Sequence, residues 1–562
     1  MKRSKTFMRG RTLAFYALIL LVFAAPVLRL LMMSFSGPDG YSLSNFKTLL
    51  GEKRTIEAIK NTIYIALGSN VFATISGTAM ALVVAYTNVK RRLLLETLVL
   101  MPFIIPSYIT TLAWSGLLTK RGFINSTLAS LGLGTIEIYS LTGILLVISL
   151  CNIPIVYLSV LHILRKIPVD MEWAARACGY NMWQTLWRID LPEALPAICS
   201  GAILAFLAAI DNFAVPAFLG ISSGIPVLST YIYEKAIGFG PEAFAQAAAL
   251  SVMLSVIAIA GTLIEPFVLR RAAVMDSIKE DFSVRLPLSK NVRRCVELGL
   301  LLFLGIINIV PLLDMVVNSF LNNYGLAVTK ANLTLDNFKE LLTNDGVYLA
   351  VVNSLLLSSI TCFICIVIGT AVAYGRARRN SRVGNLTEKC ASLTYAIPGI
   401  VLSLSMIFHW VEPFPGVRPG VYGTINILII AYVTRYLILQ IKGSTTALIS
   451  VNTELEEAVL ASGRKKWEMW RYVLAPLLIK PVLSSAFLIF VSSLTELTLS
   501  SMLASAGTKT IGLTIFNFQQ AGEFSLSAAM STLVVVIIFT TYCLVKLRAA
   551  EEKEQLQHDL AA

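Results

Sequence analysis

The chain repeats itself end to end. Pro26-Val-Leu-Arg-Leu-Leu-Met-Met-Ser34-Phe35 returns as Pro311-Leu-Leu-Asp-Met-Val-Val-Asn-Ser319-Phe320, offset by 285 residues. Asn45-Phe46-Lys47 returns as Asn337-Phe338-Lys339, Asn61-Thr62 as Asn353-Ser354, Gly77-Thr78-Ala79 as Gly369-Thr370-Ala371 and Ile105-Pro106 as Ile397-Pro398, each offset by 292. Gly179 and Gly463, and Pro192 and Pro476, stand 284 apart. Self-similarity at a fixed long period means two copies of one structural unit. Whatever one half folds into, the other must fold into as well.

What that unit is follows from its apolar runs. The chain is 56% hydrophobic and 14% charged, where a soluble domain carries about 25% charged residues. A membrane span needs about 20 mostly apolar residues, and twelve runs qualify: 13–35, 61–87, 94–118, 140–163, 194–219, 245–269, 296–320, 350–375, 389–410, 421–442, 477–504 and 527–547. Six fall in each half. An even number makes the repeat parallel, with its pseudo-twofold axis along the membrane normal and a translocation path expected between the halves. The fold class is therefore all-α, a polytopic membrane protein of about twelve transmembrane helices in two parallel-repeat six-helix halves. The expected domains are 1–270, a cytoplasmic linker 271–295, 296–548 and a charged tail 549–562. Internal prolines (Pro26, Pro102, Pro106, Pro154, Pro216, Pro311, Pro398) are tolerated in spans whose neighbours re-satisfy the freed carbonyls.

Basic residues set the orientation. Lys2, Arg3, Lys5, Arg9 and Arg11 precede the first span, and Lys90-Arg91-Arg92, Arg270 to Arg294, Arg376 to Arg382 and the tail fall on the same side. Lys120, Arg121 and Arg418 lie opposite, and Lys47 to Lys60 is a mild exception. The positive-inside tendency places both termini in the cytoplasm. It also accounts for the net charge of +13 without nucleic acid. The first run is too long for a signal peptide, and Pro26 follows the only Ala pair resembling a cleavage site. The eight Cys are scattered through apolar runs, so Cys362-x-x-Cys365 reads as packing, and the three His (His162, His409, His558) suggest no metal site.

Two polar interruptions break this pattern at matching places, 164–192 and 443–476. Each carries a short Ala-rich helix (Ala174, Ala175, Ala177; Ala458, Ala461), a Gly suited to reversing it (Gly179, Gly463), tryptophans (Trp183, Trp187; Trp467, Trp470) and a Pro at the start of the next span (Pro192, Pro476). Small residues permit close approach, and aromatics frequently carry interface energy. Both segments fall on the cytoplasmic side and read as docking elements for a symmetric two-subunit partner.

Glu172-x-Ala174-Ala175-x-x-x-Gly179 and Glu456-Glu457-Ala458-x-x-x-x-Gly463 resemble the EAA loop of ATP-binding-cassette importer permeases. The resemblance covers essentially the whole chain, as two fused permease domains of the type I importer kind. It implies that Glu172, Ala174, Ala175, Gly179, Trp183 and Pro192, with Glu456, Glu457, Ala458, Gly463, Trp467 and Pro476, couple the spans to a cytoplasmic ATPase. Trp173 stands where the motif has Glu, Val459 replaces its second Ala, and Ala475 replaces the Leu before Pro. No phosphate-binding Gly-x-x-x-x-Gly-Lys-Ser/Thr loop is present; Gly507-Thr508-Lys509-Thr510 lacks its spacing. The resemblance therefore implies that this chain is a permease and not an enzyme. It binds no cofactor of its own, ATP and Mg belong to two partner ATPase subunits, and an extracytoplasmic binding protein captures the cargo. It also places the chain in a bacterial inner membrane.

Single-chain fusions of this kind resemble ferric-iron permeases first, with thiamine, 2-aminoethylphosphonate, polyamine and sulfate relatives behind. Asp211 and Glu496, nineteen and twenty residues past Pro192 and Pro476, are either path residues together with Asn212 and Thr495, or helix-end or interface carboxylates. Charges in spans are functional by default, and a carboxylate from each half suits a hard cation. No tight metal site is expected. A gradient-driven secondary transporter also fits twelve spans in two parallel halves, but does not need paired EAA-like loops. A structural membrane protein does not need a full-length repeat.

Overall fold

The structure is a computed structural model describing residues 13–37, 40–119, 122–238, 242–263, 281–326, 328–412 and 420–541. The N-terminal basic cluster, Lys120, Arg121, Arg270, Arg418, residues 271–280 of the expected linker and the tail 549–562 lie outside the described residues. Among the described residues, ten helices are long and apolar enough to cross a membrane, and two sharply bent helix pairs bring the number to twelve. Each of the twelve overlaps one of the runs read from the sequence. A two-residue strand pair, Ser36–Gly37 with Gly40–Tyr41, is the only sheet among the described residues.

Two compact units form. One comprises Met1–Glu52, Tyr231–Ser255 and Thr343–Thr514; the other comprises Lys53–Thr230, Val256–Leu342 and Ile515–Ala562. Each unit thus joins the core of one half to the opening span and most or all of the closing span of the other. In the first, Ala25–Ser34 packs on Gly399–Trp410, and Arg29 meets Glu412 at 2.7 Å. In the second, Val310–Ser319 packs on Ser107–Leu117, where Gly116 leaves room for Asp314 and Asn318.

The repeated dipeptides prove to be staples. Asn45 Nδ2 donates to the carbonyls of Ser34 and Ser36, and Asn337 Nδ2 donates to those of Ser319 and Leu321. Asn61 donates to Pro226 O while Thr62 Oγ1 accepts the Leu228 N–H. Asn353 and Ser354 do the same to Gly507, Lys509 and Ile511. Gly77 and Gly369 sit at close helix crossings, where an added Cβ would lie 2.9 Å from Val156 Cβ and 2.8 Å from Gln440 Cβ. Small residues let membrane helices approach this closely.

Proline acts differently from expectation at two kinds of position. Pro192 and Pro476 do not open spans; the helices run on from Met182 to Asp211 and from Lys466 to Leu494. A π turn ends two residues before each, at Leu186–Asp190 and Trp470–Leu474, and again before Pro26 and Pro311, at Leu20–Ala24 and Gly305–Ile309. Proline lacks the N–H and its ring crowds the preceding turn. A wider turn relieves that crowding without breaking the helix. At Pro106 and Pro398 the span does break: Arg92–Ile104 meets Ser107–Leu117 at 101°, and Arg382–Ala396 meets Gly399–Trp410 at 114°. Ile105 and Ile397 are extended, as a residue before Pro prefers. The freed backbone groups find donors from neighbouring helices: Asn308 Nδ2 reaches Leu98 O, four residues before Pro102, at 3.0 Å, and Arg435 Nη1 reaches Ile397 O at 2.7 Å.

Candidate functional site: two short helices and their clamps

Val169–Ala177 and Thr453–Ala461 are the short helices of the two polar interruptions. The first ends in a Schellman closure: Gly179 N–H bonds Arg176 O at 3.0 Å and Tyr180 N–H bonds Ala175 O at 3.2 Å. This places Gly179 at φ +88°, and Gly463 sits at φ +80° in the second copy, a region that costs a β-carbon dearly. The chain then restarts alike in both. Asn181 and Gln184 form a capping box, and Lys465 N–H donates to Glu468 at 2.8 Å.

The glutamates face inward. Glu172 is 2% exposed and Glu456 7%; each is held by an arginine, with a tyrosine hydroxyl in the same cluster that donates to Asp190 in the first half and to Glu456 itself in the second. Glu172 takes Arg285 Nη1 at 2.7 Å, and Arg285 also donates to the Tyr86 hydroxyl at 3.0 Å. Glu456 takes Arg378 Nε at 2.6 Å and the Tyr374 hydroxyl at 3.4 Å. Arg378 further ties down the carbonyls of Leu448 and Val451. The first clamp holds a second buried carboxylate, Asp190, 3.7 Å from Arg285; Leu474 takes that place in the second half, buried in an apolar cluster beneath Val459 and Trp470. Burial alone would raise the Asp281 carboxyl, but the Ser283 N–H and the Arg285 guanidinium hold it below its usual value.

Ala175 is also buried and Val459 half-buried, so this face of each helix belongs to the protein. Trp173, Ala174 and Ala177 lie outward in the first, and Glu457, Ala458 and Ala461 in the second. Trp183, Trp187 and Trp467 are exposed by 66%, 68% and 70%. Trp470 differs from expectation: it turns inward, edge-on to the Tyr374 ring at 4.8 Å.

At the other predicted position, the repeat pairs Asn212 with Glu496, and Asp211 with Thr495; the nineteen- and twenty-residue spacings compare unlike places. Asp211 ends the helix Leu191–Asp211, and Thr495 caps Ala475–Leu494. Asn212 Oδ1 accepts the Val215 N–H and Glu496 Oε1 the Leu499 N–H, while Glu496 Oε2 takes the Tyr436 hydroxyl. The cysteines among the described residues are unpaired, and Cys362 Sγ donates to Ala486 O.

Residues 73–281 and 365–549 match the family described as the binding-protein-dependent transport system inner membrane component. The chain belongs to that family. This permease is 24% identical over 550 residues to the ferric transport system permease protein of Actinobacillus pleuropneumoniae, covering 96% of this chain and 78% of that one. It is 22% identical over 494 residues to an Fe(3+)-transport system permease protein of Haemophilus influenzae, covering 87% and 89%. Against the sulfate transport system permease protein of Escherichia coli, 27% identity spans 211 residues, 37% of this permease and 73% of that protein. A bacterial ABC transporter involved in alginate import aligns with a TM-score of 0.41 at 21% identity, over 48% of this permease and 97% of that chain.

Arg285 and Arg378 carry both clamps of this permease, yet neither stands out by type in a basic stretch. Alternation does not find Arg285: Phe282, Val284, Leu286 and Leu288 interleave with Ser283, Arg285 and Pro287, a period of two that would bury the apolar set, yet Phe282 and Val284 are 55% and 47% exposed and Arg285 is buried. For Arg378 the signal is position, 292 residues after Tyr86.

Proposed function

We propose that the chain is the membrane subunit of an ATP-driven importer for ferric iron, supplied by an external binding protein and driven by two copies of a separate ATPase that bind ATP and Mg. The observation that carries this reading is the matched pair of short helices. Each is fixed to its own unit through a buried glutamate and offers the opposite face, with tryptophans beside it, to a partner. A rigid lever with a free outer face transmits motion; a floppy surface loop does not. Exposed aromatics flanked by small residues suit a protein groove. On this reading Glu172 and Glu456 hold the helices, while Trp173, Ala174, Glu457, Ala458, Trp183 and Trp467 meet the ATPase on the cytoplasmic side, with both termini inside. The geometry at Asn212 and Glu496 supports helix capping as their first task.

Ferric iron as cargo is supported by the two near full-length relatives named for it; the sulfate relative spans little over a third of this chain. The test is uptake of radiolabelled ferric iron by cells expressing the chain with its ATPase and binding protein, set against radiolabelled sulfate. Iron uptake lost on deletion of the chain and restored by its return supports the reading; unchanged iron uptake with lost sulfate uptake replaces the cargo.

A further inference from the structure

Residues 282–364 fall outside both family matches, yet the stretch Asp281 to Ser289 is built into the first clamp. The N–H groups of Arg285 and Leu286 both donate to Tyr86 O, at 2.9 and 2.8 Å, and Leu286 bridges in parallel to Thr87. Asn88 exchanges two hydrogen bonds with the Leu288 backbone, each 3.1 Å. Asp281 N–H donates to Arg165 O at 2.6 Å, and the Arg165 guanidinium lies over the Phe282 ring at 5.0 Å. The stretch leads directly into the span Lys290–Ser319.

Arg285, 3% exposed, touches every part of the joint. It donates to Glu172 on the short helix, to Tyr86 at the foot of the span Lys53–Tyr86, and to Ile167 O at the entry to the short helix. Arg176, on the short helix, donates back to Arg285 O at 3.1 Å. In the second half the guanidinium comes from Arg378, a residue of the span Asp345–Arg379 itself. The repeat sets Arg378 opposite Tyr86, so the first half lacks an arginine at this place and borrows one.

We propose that Arg285 is the positioning residue of the first short helix, and that the stretch Asp281 to Ser289 is a working part of the first half's lever. This rests on the coupling role proposed above. Without the Arg285 guanidinium, buried Asp190 loses its cation and Glu172 keeps only the longer contact to half-exposed Arg176, 3.5 Å away on its own helix; removing one partner of a buried ion pair loosens what it held.

Hydrogen exchange on the full chain in lipid nanodiscs tests this. Arg285→Met raises exchange across 169–177 at least tenfold and leaves 453–461 within twofold; Arg378→Met does the reverse. Tyr86→Arg in the Arg285→Met background copies the second half's arrangement and restores protection of 169–177. With the ATPase and binding protein present, Arg285→Met loses at least tenfold in uptake, and the double variant recovers uptake. Unchanged exchange across 169–177, or an equal rise at 453–461, overturns the proposal. Where Arg285→Met does not fold alone, the double variant decides: recovery of folded chain with 169–177 protected supports it, and no recovery overturns it. Failure of the wild-type chain to bind any ATPase sinks the coupling role instead, and leaves the exchange result standing.

Discussion

Asn212 and Glu496 stand 284 residues apart and make the same bond: each side chain accepts the N–H of the residue three positions on, at 3.0 and 2.9 Å. Side chains that sequence marks as candidates for a cargo path are thus first of all caps on the short helices Ala214–Leu219 and Thr498–Leu503. A lost cap costs about 0.5–2 kcal/mol. Asn212→Ala should lower stability by about 1 kcal/mol, read by thermal unfolding in detergent, and Glu496→Ala by more because it also removes the acceptor of the Tyr436 hydroxyl, while Asn212→Asp stays near wild type. Glu496→Gln keeps an acceptor for Leu499 and should retain uptake within about threefold. A tenfold loss in a stable Glu496→Gln protein would give the carboxylate a role in the path.

Gly179 and Gly463 are the next test. A Cβ at either meets nothing within 4 Å, so a substitution there is opposed by backbone geometry alone. Ala at positive φ costs about 1–2 kcal/mol, and Asn less. Gly179→Ala and Gly463→Ala should loosen the short helix they close, with faster hydrogen exchange confined to 169–177 or 453–461. Gly179→Asn should lie between Ala and wild type. Equal behaviour of Ala and Asn would count against the left-handed closure.

Pro102 and Asn308 should show a coupling that neither shows alone. Asn308→Ala strips the donor from Leu98 O, and a buried unsatisfied group costs about 1–3 kcal/mol. Pro102→Ala restores the backbone N–H that bonds that carbonyl within its own helix. The double variant should therefore be more stable than the sum of the single effects allows, by a double-mutant cycle on thermal unfolding. Strict additivity would contradict the pairing.

Much of this was legible in the sequence because it depends on periodicity. The twelve spans follow from length and apolarity, and the two halves from repeated dipeptides whose staples, Asn45 and Asn337 above all, require the same residues in both copies. Gly179 and Gly463 announced their turn because only Gly takes that conformation cheaply. What the sequence hid depends on packing. Whether a proline breaks a span, as at Pro106, or is absorbed by a π turn, as at Pro192, is decided by neighbouring helices that supply donors. The exchange of opening spans leaves no mark on hydropathy. The inward turn of Glu172 needs Arg285, 113 residues away, and no spacing rule reaches that far.

Trp173 and Trp467 lie outward, 60% and 70% exposed, and on exposed sites substitution alters stability by less than about 0.5 kcal/mol. Trp173→Ala and Trp467→Ala should leave unfolding unchanged and weaken ATPase capture at least tenfold when combined, measured by titration of the purified subunit onto nanodisc-embedded chain. Loss of stability with unchanged capture would make these side chains structural.

The coupling role itself is tested most directly by photo-cross-linking. With p-benzoylphenylalanine at position 173 or 457 of the full chain in membranes, and the ATPase co-expressed, the account predicts a cross-link to the ATPase from both positions and none from position 204, on a span. Absence of the ATPase adduct at both positions, or cross-links there to the external binding protein, would contradict it.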